Sequence, residues 1–145
     1  MKRIDKILFC VLLLQVSCNS VDENLYGKWG IHSVIYKNED ISGIDFSQEF
    51  FAGNFMIIDE TQDCVTLPVK SERVEFADFK VFNRGSKQFI TLFNATDSRF
   101  NDTFLIKITE KNEGMSGMSM TYEIELRSQN MLIIGEKDVV HINKF

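Results

Sequence analysis

The chain has 145 residues, with 16 Lys and Arg against 21 Asp and Glu, which gives a net charge of −5 at neutral pH. An acidic protein repels phosphate backbones, so nucleic acid is excluded as an expected partner. The length suits one domain with one hydrophobic core, and 13 phenylalanines are available to fill that core.

The first 17 residues have the pattern of a secretory signal peptide. The start of the chain is positively charged, through Lys2, Arg3 and Lys6. An apolar run then extends from Ile7 to Val16, interrupted only by Gln15, and the small residue Ser17 follows it. A positive start, a short apolar run and a small residue before the cut define such a signal. Because a membrane-spanning helix needs roughly 20 apolar residues, we expect this run to be removed rather than kept as an anchor.

The end of this run, Gln15-Val16-Ser17-Cys18, resembles a bacterial lipobox. In that family a small residue precedes an invariant Cys, which receives the lipid. Gln15 departs from the pattern, since the residue at that place is usually apolar, and relaxed boxes of this kind are found in Bacteroidota. The resemblance implies cleavage before Cys18, a palmitate-type lipid anchor on Cys18, and residence in the outer membrane of the cell envelope. The alternative is ordinary secretory cleavage that leaves Cys18 as a free thiol.

Residues 18–24 are predicted to form a polar tether, because Asn19 to Asn24 are polar and acidic and have no periodicity. This stretch also resembles the acidic signal that sends some Bacteroidota lipoproteins to the cell surface, although a solvated linker explains the same composition. Cleavage would remove three basic residues and one acidic residue, leaving 128 residues with a net charge of −7. Cys64 is then the only thiol besides Cys18, so we expect no disulfide within the domain.

The domain is predicted to span residues 25–145, where apolar and polar residues alternate with the period of two that is typical of strands. The first half contains predicted strands at 26–36, 55–59, 64–67, 74–82 and 88–93. Between them, residues 41–54 are the least regular. The alternation slips at Ala77-Asp78, which predicts a bulge. The sequence Asn83-Arg84-Gly85-Ser86 predicts a hairpin turn.

The second half begins with a polar loop at 94–101 and continues with predicted strands at 104–108, 118–127, 131–134 and 139–142. Turns are predicted at 111–114, 128–130 and 136–138. Eight or nine short strands with regularly spaced turns indicate a barrel or a sandwich. Because the connections are tight and sequential strands can pair, we favour an all-β, up-and-down antiparallel barrel of about eight strands. A β-sandwich is the alternative.

The residues Leu25-Tyr26-Gly27-Lys28-Trp29 resemble the Gly-x-Trp motif at the start of lipocalins and of the small lipocalin-like (calycin-type) lipoproteins of Bacteroidota. The resemblance implies that Gly27 allows a tight turn into the first strand and that Trp29 plugs the closed end of the barrel. It also implies a cation stacked on the Trp ring, for which Arg127 is the candidate. The middle motif of the family, a Thr-Asp-Tyr type turn, is not visible, so the match covers five residues by sequence.

Two groups of residues are candidates for the mouth of a ligand cavity: Phe46, Phe50 and Phe51 in the irregular segment, and Met115 and Met118. Met is adaptable and common at permissive binding surfaces. These residues favour a binding module for a small apolar or amphipathic molecule. Simple core filling explains them as well, since an eight-stranded barrel can be filled solid by side chains. The alternative function is an envelope protein-interaction factor, such as an inhibitor, an immunity protein or an accessory subunit.

Patterns typical of catalysis are not visible in the sequence. There is no Ser-His-Asp order with a nucleophile elbow, no Gly-rich phosphate loop and no His pair at metal-binding spacing. His32 and His141 stand far apart, each in a predicted strand. We therefore expect a protein that is not an enzyme and that has no metal and no cofactor.

Overall fold

A computed structural model of the chain describes residues 21–42, 54–69, 73–111 and 119–140. Eight antiparallel strands close into a barrel, and one further short strand is attached to it. This confirms the predicted up-and-down barrel. The strands are β1 (Gly27–Tyr36), β2 (Glu39–Asp40), β3 (Phe55–Asp59), β4 (Cys64–Thr66), β5 (Phe76–Arg84), β6 (Lys87–Phe93), β7 (Asp102–Lys111), β8 (Ser119–Arg127) and β9 (Met131–Val140).

The barrel closes because β1 pairs with two partners on its two edges. On one edge it pairs with β3, and on the other with β9, from Gly30 opposite Glu136 to Tyr36 opposite Met131. The strands from β3 to β9 each pair with the next in sequence. The extra strand β2 folds back on the end of β1 through Lys37 and Asn38, which both have positive φ. Closure leaves few unpaired strand edges, the feature that makes open sheets prone to association.

The two ends of the barrel are distinguished by the segments that connect the strands. We call the end where β1 begins the tether end. It carries a 3-10 helix, Glu23–Leu25, and the turns at 60–63 and 85–86. The opposite end, the far end, carries the turns at 37–38 and 128–130 and the loop at 94–101. The carboxylate of Asp22 caps the 3-10 helix by accepting a hydrogen bond from the backbone N of Asn24 at 2.9 Å. The end of the predicted tether is thus folded against the barrel.

Alternation along the strands places the core inside the barrel. On β8, for example, Ile124 and Leu126 are fully buried, while Glu123 and Glu125 lie on the outer face. Among the described residues, 18 buried apolar side chains form one cluster. Phe100, from a second 3-10 helix at Ser98–Phe100, is fully buried and contributes to this cluster from the far end. Burial of this apolar surface is the main source of stability, since the described part contains no disulfide.

The predicted bulge at Ala77-Asp78 is wrong. The pairing of β5 runs without interruption, with Ala77 opposite Val65 and Asp78 opposite both Cys64 and Phe93. The prediction rested on the change of parity between the apolar residues Phe76 and Phe79. In the structure the small side chain of Ala77 is buried and Phe76 is exposed. The register shift occurs instead in β1, between Ile31 and Ser33.

The predicted turn at 136–138 is also wrong, because β9 continues through these residues. Each of the three charged side chains has a partner in the folded protein. Glu136 accepts a hydrogen bond from Lys111 Nζ at 2.9 Å, and Asp138 accepts one from Thr121 Oγ1 at 2.8 Å. Lys137, between them, donates to backbone carbonyl groups. Charged residues were therefore compatible with a strand because neighbouring elements pair with them.

Candidate functional site

Trp29 is fully buried at the tether end. Its Nε1 donates a hydrogen bond to the carbonyl oxygen of Leu25 at 2.8 Å, so the polar edge of the ring is satisfied inside the protein. Gly27 has a φ of 109° and lies between the 3-10 helix and the body of β1. Only glycine adopts this backbone conformation readily, so Gly27 allows the sharp change of direction that brings Leu25 over Trp29.

The cation over Trp29 is Lys137, not Arg127 as the resemblance implied. Lys137 Nζ lies 4.4 Å from the centroid of the Trp29 ring. Arg127 lies toward the far end, where its Nε is 2.9 Å from Glu125 Oε1 and its side chain is 57% exposed. The physical reason is alternation along β8. Leu126 points into the barrel, so the side chain of its neighbour Arg127 points outward. Sequence reasoning missed Lys137 because it assigned that residue to a turn.

Lys137 connects the last strand to the segment that enters the barrel. Its Nζ donates hydrogen bonds to the carbonyl oxygen of Tyr26 at 2.8 Å and to that of Asn24. Burial lowers the pKa of this ammonium group, and the nearby charge of Asp22 acts in the opposite direction. The cross-strand neighbour of Lys137 on β8 is Tyr122. The interior at the tether end is therefore partly polar.

A cavity of about 660 Å³ opens at the tether end, between the β5–β6 hairpin and β7. Its volume lies within the range of roughly 300–1,000 Å³ that is usual for small-molecule sites. The lining combines side-chain amides, two cations, one carboxylate and branched apolar groups. The lining residues are Asp22, Asn83, Gly85, Ser86, Lys87, Gln88, Leu105, Ile106, Lys107 and Ile108. Such a lining suits a molecule that has both a polar and an apolar part.

A row of titratable side chains crosses the outer face of the barrel. Lys111 Nζ lies 2.6 Å from Glu123 Oε2 and 2.9 Å from Glu136 Oε1, and His32 Nε2 lies 3.3 Å from Glu136 Oε2. Hydrogen bonds to Glu123 and Glu136 raise the pKa of Lys111, and the hydrogen bond from Lys111 lowers the pKa of Glu136. These groups are partly exposed to solvent, so they stabilise the barrel only modestly.

Large apolar side chains are exposed on a different part of the outer face. We call these residues the outer apolar patch: Phe55, Ile57, Val74, Phe76 and Phe93. Thr66 lies between Ile57 and Phe76 in the sheet, since it pairs with both. Exposed apolar patches on soluble domains frequently mark sites of interaction.

The candidates that the sequence placed at a ligand mouth, and the predicted anchor, lie outside the described residues. They are Cys18, Phe46, Phe50, Phe51, Met115 and Met118. The described residues that flank the two mouth segments lie at different places in the barrel. Lys111 and Ser119 flank residues 112–118 at the tether end. Ser42 and Asn54 flank residues 43–53 beside the middle of β1.

Asn54 fixes the position of the residues that flank 43–53. Sequence analysis did not single it out. Its carbonyl oxygen accepts a hydrogen bond from Ile31 N at 2.8 Å. Its side-chain Nδ2 donates to the carbonyl oxygens of Ser42 at 2.8 Å and Pro68 at 2.7 Å. The side-chain amide of Asn54 thus links three segments of the chain, those that contain Ser42, Asn54 and Pro68. No pattern in the sequence indicates such a contact, because its partners are 12 and 14 residues away.

Within the described ranges, no group of three or more His, Cys, Asp or Glu side chains lies close enough together to hold a metal ion. No helix in the same ranges is long and apolar enough to cross a membrane. Comparisons of the chain with protein-family models, with curated proteins and with solved structures found no match.

Proposed function

We propose that this protein is an exported lipoprotein, anchored to the outer membrane through acylated Cys18, whose barrel binds a small amphipathic molecule in the cavity at the tether end. The observation that carries the proposal is the place of the cavity, because Asp22 lines it. The proposal needs no catalytic step, no metal and no cofactor. Display on the cell surface is a further prediction from the acidic tether.

The anchor would hold the cavity close to the membrane. Asp22 follows Cys18 by four residues, and four extended residues span at most about 14 Å. Each buried CH₂ of an acyl chain contributes about 0.8 kcal/mol, so one chain holds a protein marginally and several hold it firmly. A molecule that partitions into the membrane would therefore have a short path to the cavity.

The lining supports an amphipathic ligand. Ile106 and Ile108 offer apolar contact along the inner side of β7, and Gln88 and Asn83 offer amide groups beside them. Lys87 and Lys107 lie in the same lining and favour a negatively charged polar group on the ligand. Leu105 extends the apolar part.

The anchor is tested by labelling growing cells with radioactive palmitate. We expect the label to follow the protein and to be lost in Cys18→Ala, which should also leave the membrane fraction. Label that persists in Cys18→Ala contradicts the anchor.

The cavity is tested by titrating the protein with 11-(dansylamino)undecanoic acid, a fluorescent amphipathic acid. We expect saturable binding that Gln88→Phe weakens by tenfold or more, because the added ring fills the cavity. Gln129→Phe makes the same exchange at an exposed turn of the far end and should leave binding unchanged. Equal binding by both variants, or no saturation in the parent protein, contradicts the cavity as the binding site.

The second candidate function is a protein-interaction role in the envelope, which the outer apolar patch favours. A photo-reactive amino acid at position 76 tests it in intact cells, because Phe76 is 45% exposed on the outer face. We expect one discrete cross-linked partner from position 76. Position 109, which is also exposed but lies on β7 away from the patch, is the control. The same products from both positions contradict a specific interface.

A further inference from the structure

We propose that the tip of the β5–β6 hairpin and the adjacent part of β7 rest on the membrane and bind anionic lipid headgroups. We call this surface the hairpin face, and it consists of Phe82, Arg84, Lys87, Phe89 and Lys107. The inference rests on the proposed anchor at Cys18. It adds the orientation of the barrel and the chemistry of the lipid that the barrel contacts.

Three cations lie together on the hairpin face. Arg84 and Lys87 are directly opposite each other on β5 and β6, on either side of the tight turn at Gly85-Ser86. Gln88 pairs with Ile106, so the register places Lys107 next to Lys87 on the neighbouring strand. All three side chains are exposed. The hairpin tip therefore presents a compact positive surface in a chain whose net charge is −5.

Two aromatic rings lie directly behind these cations. Phe82 and Phe89 are opposite each other, with ring centroids 5.5 Å apart and an angle of 14° between the ring planes. The guanidinium of Arg84 lies 5.3 Å from one centroid and 5.8 Å from the other. Aromatic rings beside basic side chains are typical of surfaces that bind at the headgroup level of a membrane.

The charge balance on this face differs from that on other parts of the barrel. Within the described part of the chain, neither Lys87 nor Lys107 forms an ion pair, whereas Lys111 and Arg127 are paired with glutamates. The neighbouring turn at the tether end carries acidic residues, Glu60 and Asp63. A negative membrane surface would attract the hairpin and repel that turn, so the barrel would be held tilted, with the hairpin face down.

The path of the chain brings the hairpin face to the membrane. Asp22 lines the same cavity as Gly85 and Lys87, so the chain enters the domain beside the hairpin tip. Only Asn19 and Ser20 lie between Cys18 and Val21, the first described residue. An acyl group on Cys18 would therefore hold this part of the barrel, rather than the far end, next to the lipid headgroups.

The first experiment maps lysine accessibility on the acylated protein purified from cells. The protein is reconstituted into vesicles of pure phosphatidylcholine or of phosphatidylcholine with phosphatidylglycerol, and is treated with an amine-reactive reagent. With phosphatidylglycerol we expect labelling of Lys87 and Lys107 to fall threefold or more and to recover in high salt. Lys37, exposed at the far end, is the internal control and should be labelled equally in both. Equal labelling of all three lysines in both vesicles overturns the proposal.

The second experiment removes the anchor, so that failure of the anchor and failure of the hairpin face give different results. The chain from residue 18 onward, with Cys18→Ser, is sedimented with the same vesicles. Each basic residue near an anionic surface changes partitioning by about fivefold. We therefore expect Lys87→Glu with Lys107→Glu to lower binding to phosphatidylglycerol vesicles by tenfold or more. The matched control is Lys37→Glu with Arg73→Glu, which changes the charge equally at the far end.

Equal losses in the two double variants would show an effect of net charge alone and would overturn the assigned face. Protection of Lys87 and Lys107 in intact cells, without protection on anionic vesicles, would assign the face to a protein partner and would also overturn it. Trp29 emission reports whether each variant is folded, since the indole is fully buried in the native barrel.

Discussion

The two ends of the barrel are built from the same strands but have different interiors. At the far end the inward side chains are apolar and fully buried, among them Leu92, Phe100 and Phe104. At the tether end the interior contains Lys137 and Gln88, and a cavity opens there. The far end is therefore packed with apolar side chains, while the tether end combines the buried Leu25 and Trp29 with polar groups and room for a ligand.

The change from apolar to polar occurs along individual strands. The inward positions of β9 are, from the far end to the tether end, Met131, Ile133, Gly135 and Lys137. Along β6 they change from Leu92 through Ile90 to Gln88. The change is confined to one side of the barrel, since Trp29 on β1 and Ile58 on β3 are fully buried at the tether end.

The largest effect is expected from removing a ring at the far end. Phe104→Ala should lower the free energy of unfolding by about 3–5 kcal/mol, because Phe104 is fully buried and its loss leaves a cavity. Chemical denaturation monitored by Trp29 emission measures the loss. A loss below about 1 kcal/mol would show that the far end is not tightly packed.

Two cross-strand partners test whether the cavity loosens the packing beside it. Ile124 on β8 and Ile108 on β7 lie opposite each other, but Ile124 is fully buried whereas Ile108 is half-buried and lines the cavity. Ile124→Ala should cost about 2–5 kcal/mol, and Ile108→Ala less than half of that, because less packing is lost beside an existing cavity. Equal losses in denaturation experiments would show that the cavity does not loosen the packing beside it.

Gly135 on β9 lies in close contact with β1. A Cβ at this position would lie 2.6 Å from Ile31 Cδ1 and 2.8 Å from the carbonyl oxygen of Gly30. Gly135→Ala should therefore cost about 1–3 kcal/mol through overpacking. Gly30→Ala is the matched control, since its nearest contact would be 3.5 Å away. If the control is as destabilising as Gly135→Ala, close approach is not the cause.

The smallest effect is expected from Lys137→Met, at about 1–2 kcal/mol, because the carbonyl groups of Tyr26 and Asn24 lose their donor. The effect should depend on pH. Burial lowers the pKa of Lys137 below its ordinary value of 10.5. Between the two pKa values the unfolded chain binds more protons, so the parent protein gains stability with rising pH.

The difference in unfolding free energy between the parent and Lys137→Met should therefore widen as the pH rises through that window. Urea denaturation of both proteins from pH 7 to 11 measures it, and the comparison cancels the contributions of Tyr26 and Lys111, whose pKa values are also shifted in the folded protein. A difference that narrows with rising pH would show that the ammonium is favoured in the folded state.

Local patterns in the sequence predicted much of the fold. The strand at 55–59 and the strand over 119–127 follow the predicted alternation, and the hairpin turn at Gly85-Ser86 is present. The errors arose where the type of a residue suggested one conformation and its partners in the folded protein imposed another. A bulge was expected at Ala77-Asp78, where the pairing is regular, and residues 136–138 were expected to turn and lie in β9. The outcome at these positions depends on the neighbouring strands, which the local sequence does not show.

The candidate site was less accessible to sequence reasoning. Gly27 and Trp29 were named from a short motif, and both lie where the chain enters the barrel. The cation on Trp29 was assigned to Arg127 and is Lys137. The cavity residues Asn83, Gln88 and Lys107 carry no motif. They form a site only because the hairpin and β7 lie side by side.

The sequence by itself determined the class of the fold, an all-β protein of short alternating strands with tight turns, whereas the export signal and the anchor at Cys18 stay predictions. The period of two is a local property of an extended backbone, so it can be read from neighbouring residues. Tertiary structure decided the closure, in which Gly30 pairs with Glu136, more than 100 residues away. It also decided which inward residues share one end of the barrel. Register across a closed sheet depends on every strand at once, and no local pattern encodes it.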